Sequence, residues 1–300
     1  MKLTKITPRG FCKGVVDAYA ECKKIAKLYP DREKYLVGWL VHNKNIIEEL
    51  KALGIEVKED FNKSRKSIID EIKIVDYKNP PIVFFSAHGT SEEIINYAKL
   101  KGLHVVDTTC IYVTKTQNLI KEKIANNYQI IYIGVVNHPE TIATLAIDES
   151  IIFIDTKNQN LDEIEIKSDK PIFVTNQTTI SIYEFEKIIK HLKIKFKDNI
   201  EFKNDICNAA KDRQDAIINM ENDVDLLLVV GDIKSNNANK LVEIGKSKNI
   251  ESYLIWDVKM IKNVWFKNKN HVAITSGCST PTWLTNYVII FLEKNWNFKK

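Results

Sequence analysis

The sequence of 300 residues lacks any apolar run of the roughly 18 residues that a membrane-spanning helix requires. Residues 1–5 also lack the apolar stretch of a signal peptide, so we expect no membrane association and no export. The chain has only five cysteines, and they lie far apart, which argues against a disulfide framework. These absences favour a reducing compartment, and we predict a cytoplasmic protein.

Glycine-rich phosphate loops are missing as well. Neither G-x-x-x-x-G-K-[ST] nor G-x-G-x-x-G occurs, so the sequence does not predict nucleotide binding. A large excess of charge is also absent, because the net charge is only +5 and lysines alternate with glutamates. We therefore expect no nucleic-acid partner, although a mildly basic face would suit a small anionic substrate or an acidic protein.

Three cysteines occur in the same local context, at a turn where an apolar strand leads into a helix. Cys110 follows Cys12 by 98 positions, and Cys207 follows Cys110 by 97 positions. A cysteine at a helix N-terminus faces backbone N–H groups that stabilise a thiolate. The repetition of this turn at a nearly constant interval indicates an internal repeat of the whole chain.

The repeat predicts the domain organisation. Strands alternate with helices along the chain, a pattern that is typical of parallel sheets. We predict three similar small α/β domains over residues 14–110, 111–205 and 206–300, the third completed by an N-terminal strand within 1–13. At the level of single elements, we predict a helix over 258–266 and a connection without a strand over 193–203.

Ligands of parallel α/β sheets bind outside the carboxyl ends of the strands. If the three sheets face one another around a pseudo-threefold axis, the three cysteines meet there, surrounded by His, Glu, Ser, Thr and Asn side chains. This arrangement predicts a metal or cluster with three thiolate ligands and one open coordination position. Zinc with a bound water is an alternative that would make the protein a hydrolase.

Nine short motifs carry a family resemblance that extends over essentially the whole chain. They are Arg9-Gly10-Phe11-Cys12, Val41-His42-Asn43, Ser86-Ala87-His88-Gly89, Cys110 with Val113-Thr114-Lys115, His138-Pro139-Glu140, Gln177-Thr178-Thr179, Ile206-Cys207 with Arg213-Gln214, Ser235 with Asn237, and Ser279 with Pro281. In this order they resemble the 4-hydroxy-3-methylbut-2-enyl diphosphate reductases, the LytB family.

The resemblance implies a [4Fe–4S] cluster held by Cys12, Cys110 and Cys207, with one iron that has no protein ligand. It also implies an activity, the reductive dehydroxylation of (E)-4-hydroxy-3-methylbut-2-enyl diphosphate to isopentenyl and dimethylallyl diphosphate. This reaction is the last step of the non-mevalonate isoprenoid pathway. Electrons would come from a small carrier protein of the ferredoxin or flavodoxin type.

The resemblance further implies roles for individual residues. Glu140, Thr178 and His138 would act in catalysis, with Glu140 in the proton-delivery network. The residues implied in binding the diphosphate are His42, His88, His138, Thr178, Ser235, Asn236, Asn237 and Ser279. The chemistry agrees, because cleavage of an allylic C–O bond needs an acid and a diphosphate needs several hydrogen-bond donors.

Several positions depart from the family pattern. They are Asp17, Ile111-Tyr112, Val135, Ala143, Ala210, Asp232, Lys234, Asn236 and Cys278. For Cys278 we expect a packing role, with a spare thiol near the pocket as the alternative. The other departures indicate a divergent member whose rate or substrate tolerance is altered. A cluster-bearing redox sensor without turnover is an alternative, although the retained Glu140 and Thr178 argue against it.

Overall fold

The computed structural model describes residues 1–60, 62–157, 161–164, 166, 170–296 and 298. In chain order the elements are β1 (Lys2–Lys5), α1 (Lys13–Leu28), β2 (Lys34–Val37), α2 (Lys44–Ala52), β3 (Glu56–Lys58), α3 (Arg65–Asp70), β4 (Ile82–Phe85), α4 (Glu92–Leu100), β5 (His104–Asp107), α5 (Ile111–Ala125), β6 (Gln129–Gly134), α6 (Pro139–Leu145), β7 (Ile152–Asp155), β8 (Ile172–Asn176), α7 (Ile182–Phe196), β9 (Ile200–Phe202), α8 (Asn208–Ile218), β10 (Leu226–Val230), α9 (Asn236–Ser247), β11 (Glu251–Ile255), β12 (His271–Ser276) and α10 (Thr282–Asn295). Among these helices, none is long and apolar enough to cross a membrane.

The strands form three four-stranded sheets in which every pairing is parallel. Their strand orders are β1-β12-β10-β11, β3-β2-β4-β5 and β7-β6-β8-β9. The inner strands β4, β8 and β10 are buried along their whole length, as expected for parallel strands covered by helices. The prediction of three parallel α/β sheets is therefore confirmed.

The chain separates into two compact units. The first comprises residues 1–15, 42–44 and 207–300 and contains one sheet, whereas the second comprises 16–41 and 45–206 and contains the other two. The predicted domain boundaries at 14–110, 111–205 and 206–300, and the arrangement about a pseudo-threefold axis, stay predictions.

The sheet of the first unit is completed by the N-terminal strand. β1 runs parallel to β12 with Lys2 opposite His271, and the Ile6 N–H continues the ladder by donating to the Ile274 carbonyl at 2.9 Å. Farther along, the Gly10 N–H donates to the Ser276 Oγ at 2.7 Å. Gly10 has a φ of +82°, and a Cβ there would collide with the Thr282 side chain, so this close approach requires glycine.

Both faces of this sheet carry an apolar core, because side chains alternate along a strand. On β10, Leu227 and Val229 pack with residues of α8 and α9, while Leu226, Leu228 and Val230 pack with residues of α10. Each of these five side chains is fully buried, and such burial contributes about 1.5–3 kcal/mol per side chain. The uninterrupted apolar run of β10 follows from this burial on two sides.

The second unit buries its two sheets in the same way. Val83 and Phe85 of β4 pack with Ile69 of α3, and Ile130 and Tyr132 of β6 belong to the core of the other sheet. Each core lies between a sheet and the helices that connect its strands. Because helices cover the faces of each sheet, the turns that follow the strands are left accessible at the edge of the sheet.

Two predicted elements differ from the structure. The predicted helix over 258–266 is instead two 3-10 turns, Val258–Met260 and Asn263–Phe266, since Ile261 and Lys262 have extended backbones. This segment packs Met260, Ile261 and Trp265 against the sheet core, and that contact prevails over weak helical propensity. The predicted connection over 193–203 contains the edge strand β9, whose three half-exposed residues are too few for their alternation to predict a strand.

Gly245 of α9 offers a test of this packing. A Cβ at this position would lie 2.6 Å from Leu227 Cδ2 and would also collide with Ser252 Oγ. We expect Gly245→Ala to lower the free energy of unfolding by about 1–3 kcal/mol through overpacking, despite the better helix propensity of alanine. Urea unfolding followed by circular dichroism measures the change.

The control is Ser247→Ala, at an exposed position of the same helix, which should change stability by less than about 0.5 kcal/mol. An unfolding midpoint for Gly245→Ala equal to that of the wild type would contradict the close contact between α9 and the sheet.

Candidate active site

The three cysteines of the repeat lie at helix N-termini, as the sequence predicts. Cys12 directly precedes α1, while Cys110 and Cys207 are the N-cap residues of α5 and α8. All three are partly exposed, all five cysteines of the chain lie within the described residues, and none forms a disulfide. The helix dipole at these positions favours the thiolate.

Cys12 lies in the first unit, in contact with Cys278. Its backbone N–H donates to the Cys278 carbonyl at 3.0 Å. A hydrogen bond with the Cys278 side chain lowers the pKa of the Cys12 thiol to about 6, against the opposing effect of burial. The backbone N–H groups of Val15 and Gly14 and the positive charge of Arg213 lower this pKa further. Cys12 therefore has the properties of a thiolate ligand.

Cys207 lies in the same unit and near the same buried thiol. The negative charges of Cys12 and Cys207 both raise the pKa of Cys278, after the effects of the hydrogen bond with Cys12 and of burial. Arg213 is 3% exposed and binds this region together, since Nη2 donates to the Gly10 carbonyl and Nη1 to the Ala209 carbonyl, each at 2.7 Å. Cys12 and Cys207, two of the three predicted ligands, thus both lie near the Cys278 thiol.

Predicted diphosphate-binding residues of the first unit form a connected set. Ser279 Oγ donates to the His42 carbonyl at 3.1 Å and lies 3.4 Å from Ser235 Oγ, from which it can accept. Ser235 also accepts from the Ala238 N–H and caps α9, whose first residue is Asn236. The set therefore lies at a helix N-terminus, where backbone N–H groups and the dipole attract anions.

Two features of this set concern its charge and its hydrogen bonding. Burial lowers the pKa of His42 to about 4, with Asp232 opposing and Lys234 reinforcing the effect, so the imidazole is neutral at pH 7. Asn237 is 4% exposed, and its Nδ2 has no hydrogen-bond partner among the described residues. A buried donor without a partner is costly, so this amide N–H is available to a ligand.

Asp232, one of the positions that depart from the family pattern, has a structural role. Its carboxylate accepts from the Lys44 N–H at 3.2 Å and from the Lys234 N–H at 2.9 Å. It thereby closes the loop before α9 and holds the short segment that contains His42. The side chain of Lys234 is not needed for this bond, because the backbone is the donor.

Glu140 is the centre of the site residues in the second unit. The Thr178 N–H donates to Oε1 at 2.7 Å and the Thr178 hydroxyl donates to Oε2 at 2.9 Å. Glu140 is only 1% exposed, and burial raises the pKa of its carboxyl to about 7, although both bonds from Thr178 lower it and the Asp205 charge raises it. A carboxyl with this pKa exchanges protons near neutral pH.

His138 contacts the backbone of Glu140, and His88 contacts His138. His138 caps α6, and its Nδ1 accepts from the Glu140 N–H at 3.2 Å, which leaves the proton of a neutral ring on Nε2. The rings of His88 and His138 have centroids 5.0 Å apart at an angle of 73°. The structure thus brings together the predicted residues Glu140, Thr178, His138 and His88.

Cys110 also belongs to the second unit, where its N–H donates to the Ala87 carbonyl at 2.9 Å, in the turn that contains His88. Gly89 of this turn has a φ of +97°, and a Cβ there would lie 3.3 Å from Val113 of α5 and 3.7 Å from Ala143 of α6. Joint ligation of one cluster by Cys12, Cys110 and Cys207 stays a prediction.

Sequence reasoning missed two residues of the site, Arg213 and Cys278. Arg213 is part of a motif but had no predicted role, and its position among the buried residues Ala210, Gln214 and Ile217 of α8 was the available signal. A charged side chain on a buried helix face needs partners, which points to a function. Cys278 is buried, which agrees with packing, but its contact with Cys12 across 266 positions could not be read from the sequence.

Comparison with known proteins gives close matches over the full chain. A family model described as LytB protein matches residues 3–293. The 4-hydroxy-3-methylbut-2-enyl diphosphate reductase of Malacoplasma penetrans is 72% identical over 294 residues, 98% of each chain. That of Symbiobacterium thermophilum is 37% identical over 297 residues, 98% of this chain and 97% of the relative.

Solved structures agree with the sequence matches. The E-1-hydroxy-2-methyl-but-2-enyl-4-diphosphate reductase of Plasmodium falciparum superposes with a TM-score of 0.87 at 33% identity, over 97% of this chain and 87% of the other. A structure described as the terminal enzyme of the non-mevalonate pathway gives a TM-score of 0.66 at 25% identity, over 98% and 100%. With matches of this extent, the chain belongs to the LytB protein family.

Proposed function

We propose that this chain reduces (E)-4-hydroxy-3-methylbut-2-enyl diphosphate to isopentenyl and dimethylallyl diphosphate, the last step of the non-mevalonate pathway. The relatives that bear the name of this reductase support the proposal. In the reaction two electrons and two protons enter, and the substrate hydroxyl leaves as water. The observation that carries the proposal is the buried Glu140 carboxyl, which has a pKa of about 7 and is held by two bonds from Thr178.

The donor set fits an iron–sulfur cluster. Cys12, Cys110 and Cys207 are reduced thiols at helix N-termini, and the lowered pKa of Cys12 favours the thiolate that such clusters require. We propose that these three residues hold a [4Fe–4S] cluster with one iron free of protein ligands. When bound, the cluster supplies electrons and an open iron position for the substrate hydroxyl.

Glu140 is the proposed proton donor. At neutral pH a large fraction of its carboxyl is protonated, so a proton is available for the leaving hydroxyl or for carbon. Thr178 fixes both carboxyl oxygens, which sets the direction of transfer. His138, whose Nδ1 accepts from the Glu140 N–H, keeps Nε2 for a hydrogen bond to the substrate.

A diphosphate is bound by several hydrogen-bond donors. We assign its binding to Ser235, Asn236, Asn237 and Ser279 at the N-terminus of α9, to His42 in the same unit, and to His88, His138 and Thr178. The buried and unpartnered Nδ2 of Asn237 supports this assignment. The neutral imidazole of His42 donates one hydrogen bond, so it binds the diphosphate without adding charge.

We propose further that a ferredoxin or flavodoxin type carrier supplies the electrons, in the cytoplasm. The net charge of +5 favours an acidic carrier, and the absence of nucleotide motifs argues against direct use of a nicotinamide cofactor. Five reduced thiols agree with a reducing compartment.

Glu140→Gln tests the acid role. The amide keeps the size of the side chain but has no transferable proton, so turnover should fall by a factor of about 100 to 10,000 while iron and sulfide contents stay unchanged. An anaerobic assay with dithionite-reduced protein measures this loss. Glu122→Gln, at an exposed position of α5, serves as the matched control, and near-normal turnover of Glu140→Gln would remove the assigned role.

The pKa of Glu140 predicts a pH dependence. The acid is protonated below its pKa of about 7 and ionised above it, so the turnover rate should fall as pH rises through 7, by about tenfold per unit at high pH. The hydroxyl of Thr178 lowers this pKa, so Thr178→Val should move the falling limb to higher pH and Thr178→Ser should not. A limb that is identical in Thr178→Val and the wild type would contradict the role of Glu140 as the titrating group.

Cys110→Ser tests the ligand set. We expect it to lose the cluster and all turnover, measured as iron, acid-labile sulfide and product in anaerobically purified protein. Cys22→Ser should keep both, because Cys22 is fully buried in α1 and burial raises the pKa of its thiol to about 12. Equal damage by the two substitutions would refute the assignment of the ligands.

The same measurements on the wild type distinguish the alternative functions. Zinc without sulfide would refute the reductase, and a bound cluster without product would indicate a sensor.

A further inference from the structure

Arg213 joins the two chain segments that carry Cys12 and Cys207, within one compact unit. Its Nη2 donates to the Gly10 carbonyl, two residues before Cys12, at 2.7 Å. Its Nη1 donates to the Ala209 carbonyl, two residues after Cys207, also at 2.7 Å. Because a planar guanidinium presents its donors in a fixed fork, it sets the separation of the two carbonyls. One side chain therefore holds the two proposed ligand segments of this unit relative to each other.

The positive charge of this guanidinium has no carboxylate partner among the described residues. The side chain is 3% exposed, and its Nη atoms donate to carbonyls. Its Nε is buried and has no hydrogen-bond partner in the described part of the chain. The contact with Ala209 also places the guanidinium against the first turn of α8, the positive end of the helix dipole, where a cation is unfavourable. Because a buried charge is costly unless it is paired, this placement indicates that an anion belongs beside Arg213.

A purely structural role is the competing explanation, and the other two buried lysine or arginine side chains that the structure describes show what it looks like. Lys240 is 1% exposed and forms an ion pair with Glu243 at 2.8 Å. Lys34 is 4% exposed, and its ammonium donates to three backbone carbonyls just beyond the C-terminus of α1, at 2.6 to 3.0 Å. That helix end is negative and suits a cation. Arg213 has neither a carboxylate nor the carbonyl end of a helix, so a structural role alone does not account for its charge.

We propose that Arg213 is a positioning residue that holds the Cys12 and Cys207 segments together and, as a buried cation, raises the reduction potential of the cluster. The inference rests on the proposed function, because the cluster and its thiolate ligands would supply the anion that Arg213 lacks. Reduction adds further negative charge. A fixed positive charge that water does not screen stabilises the reduced state more than the oxidised state, so the potential is higher than with a neutral side chain at this position.

The test compares four holoenzymes purified anaerobically: the wild type, Arg213→Lys, Arg213→Gln and, as the control, Lys211→Gln. Iron and acid-labile sulfide analysis gives the cluster content, and potentiometric titration followed by electron paramagnetic resonance gives the midpoint potential. Lysine keeps the charge without the fork, whereas glutamine keeps a hydrogen-bond donor without the charge. Lys211→Gln removes one positive charge from an exposed position of the same helix, where water and salt screen it.

We expect a more negative midpoint in Arg213→Gln, a return toward the wild-type value in Arg213→Lys, and no change in Lys211→Gln. Both substitutions of Arg213 should lower the cluster content, because neither side chain reproduces the two carbonyl contacts. The loss should be larger in Arg213→Gln, which lacks the charge as well. If that variant retains too little cluster for titration, a higher iron and sulfide content in Arg213→Lys supports the role of the charge.

Rescue by lysine is the readout that a merely structural role would not give. Arg213→Lys and Arg213→Gln that are alike in both cluster content and midpoint, whether both are normal or both are empty, would overturn the role of the charge. A midpoint shift in Lys211→Gln as large as that in Arg213→Gln would overturn it too. Wild-type cluster content in Arg213→Gln would overturn the positioning of the two segments.

These outcomes are distinguishable from failure of the proposed function. A wild type that holds the cluster and turns over substrate, with no difference between Arg213→Lys and Arg213→Gln, overturns this inference alone. A wild type without iron and sulfide overturns the proposed function.

Discussion

The parallel pairing of β1 with β12 is the constraint on which the first unit depends. Beyond this ladder, the N–H groups of Ile6 and Cys12 donate to the Ile274 and Cys278 carbonyls, and the Gly10 N–H donates to the Ser276 hydroxyl. The pairing joins the two ends of the chain, so a thiol near the N-terminus lies beside residues that come more than 260 positions later. Arg213 completes this region by bonding the Gly10 and Ala209 carbonyls. These hydrogen bonds hold Cys12 next to Cys278.

Burial raises the pKa of both Glu140 and Cys12, whereas hydrogen bonds lower it. Burial alone would neutralise both Glu140 and Cys12, because a charge is costly in a medium of low dielectric constant. At Glu140 burial prevails over the two bonds from Thr178, and the acid keeps its proton up to about pH 7. At Cys12 the hydrogen bond with Cys278 and the neighbouring positive charge prevail, and the thiol ionises below neutral pH. The balance of donors, rather than the degree of burial, therefore distinguishes the protonated carboxyl of Glu140 from the ionised thiol of Cys12.

Much of the fold follows from local sequence patterns. The apolar run of β10 predicts a strand buried on both faces, and helices begin directly after Cys12, Cys110 and Cys207, as predicted. The failures occur where a local pattern is weak. The half-exposed strand β9 has little hydrophobic signal, and the segment 258–266 follows its contacts with the sheet rather than its helical periodicity.

The sequence by itself determined the chemistry of the protein, because three cysteines at strand-to-helix turns and the polar motifs that follow other strands are readable as residue types in order. Only the tertiary structure decided how these groups are tuned. The pKa of Glu140 depends on Thr178, 38 positions away, and the acidity of Cys12 depends on Cys278, 266 positions away. Electrostatic effects depend on the distance between groups and on the local dielectric constant, and neither quantity is defined until the chain has folded.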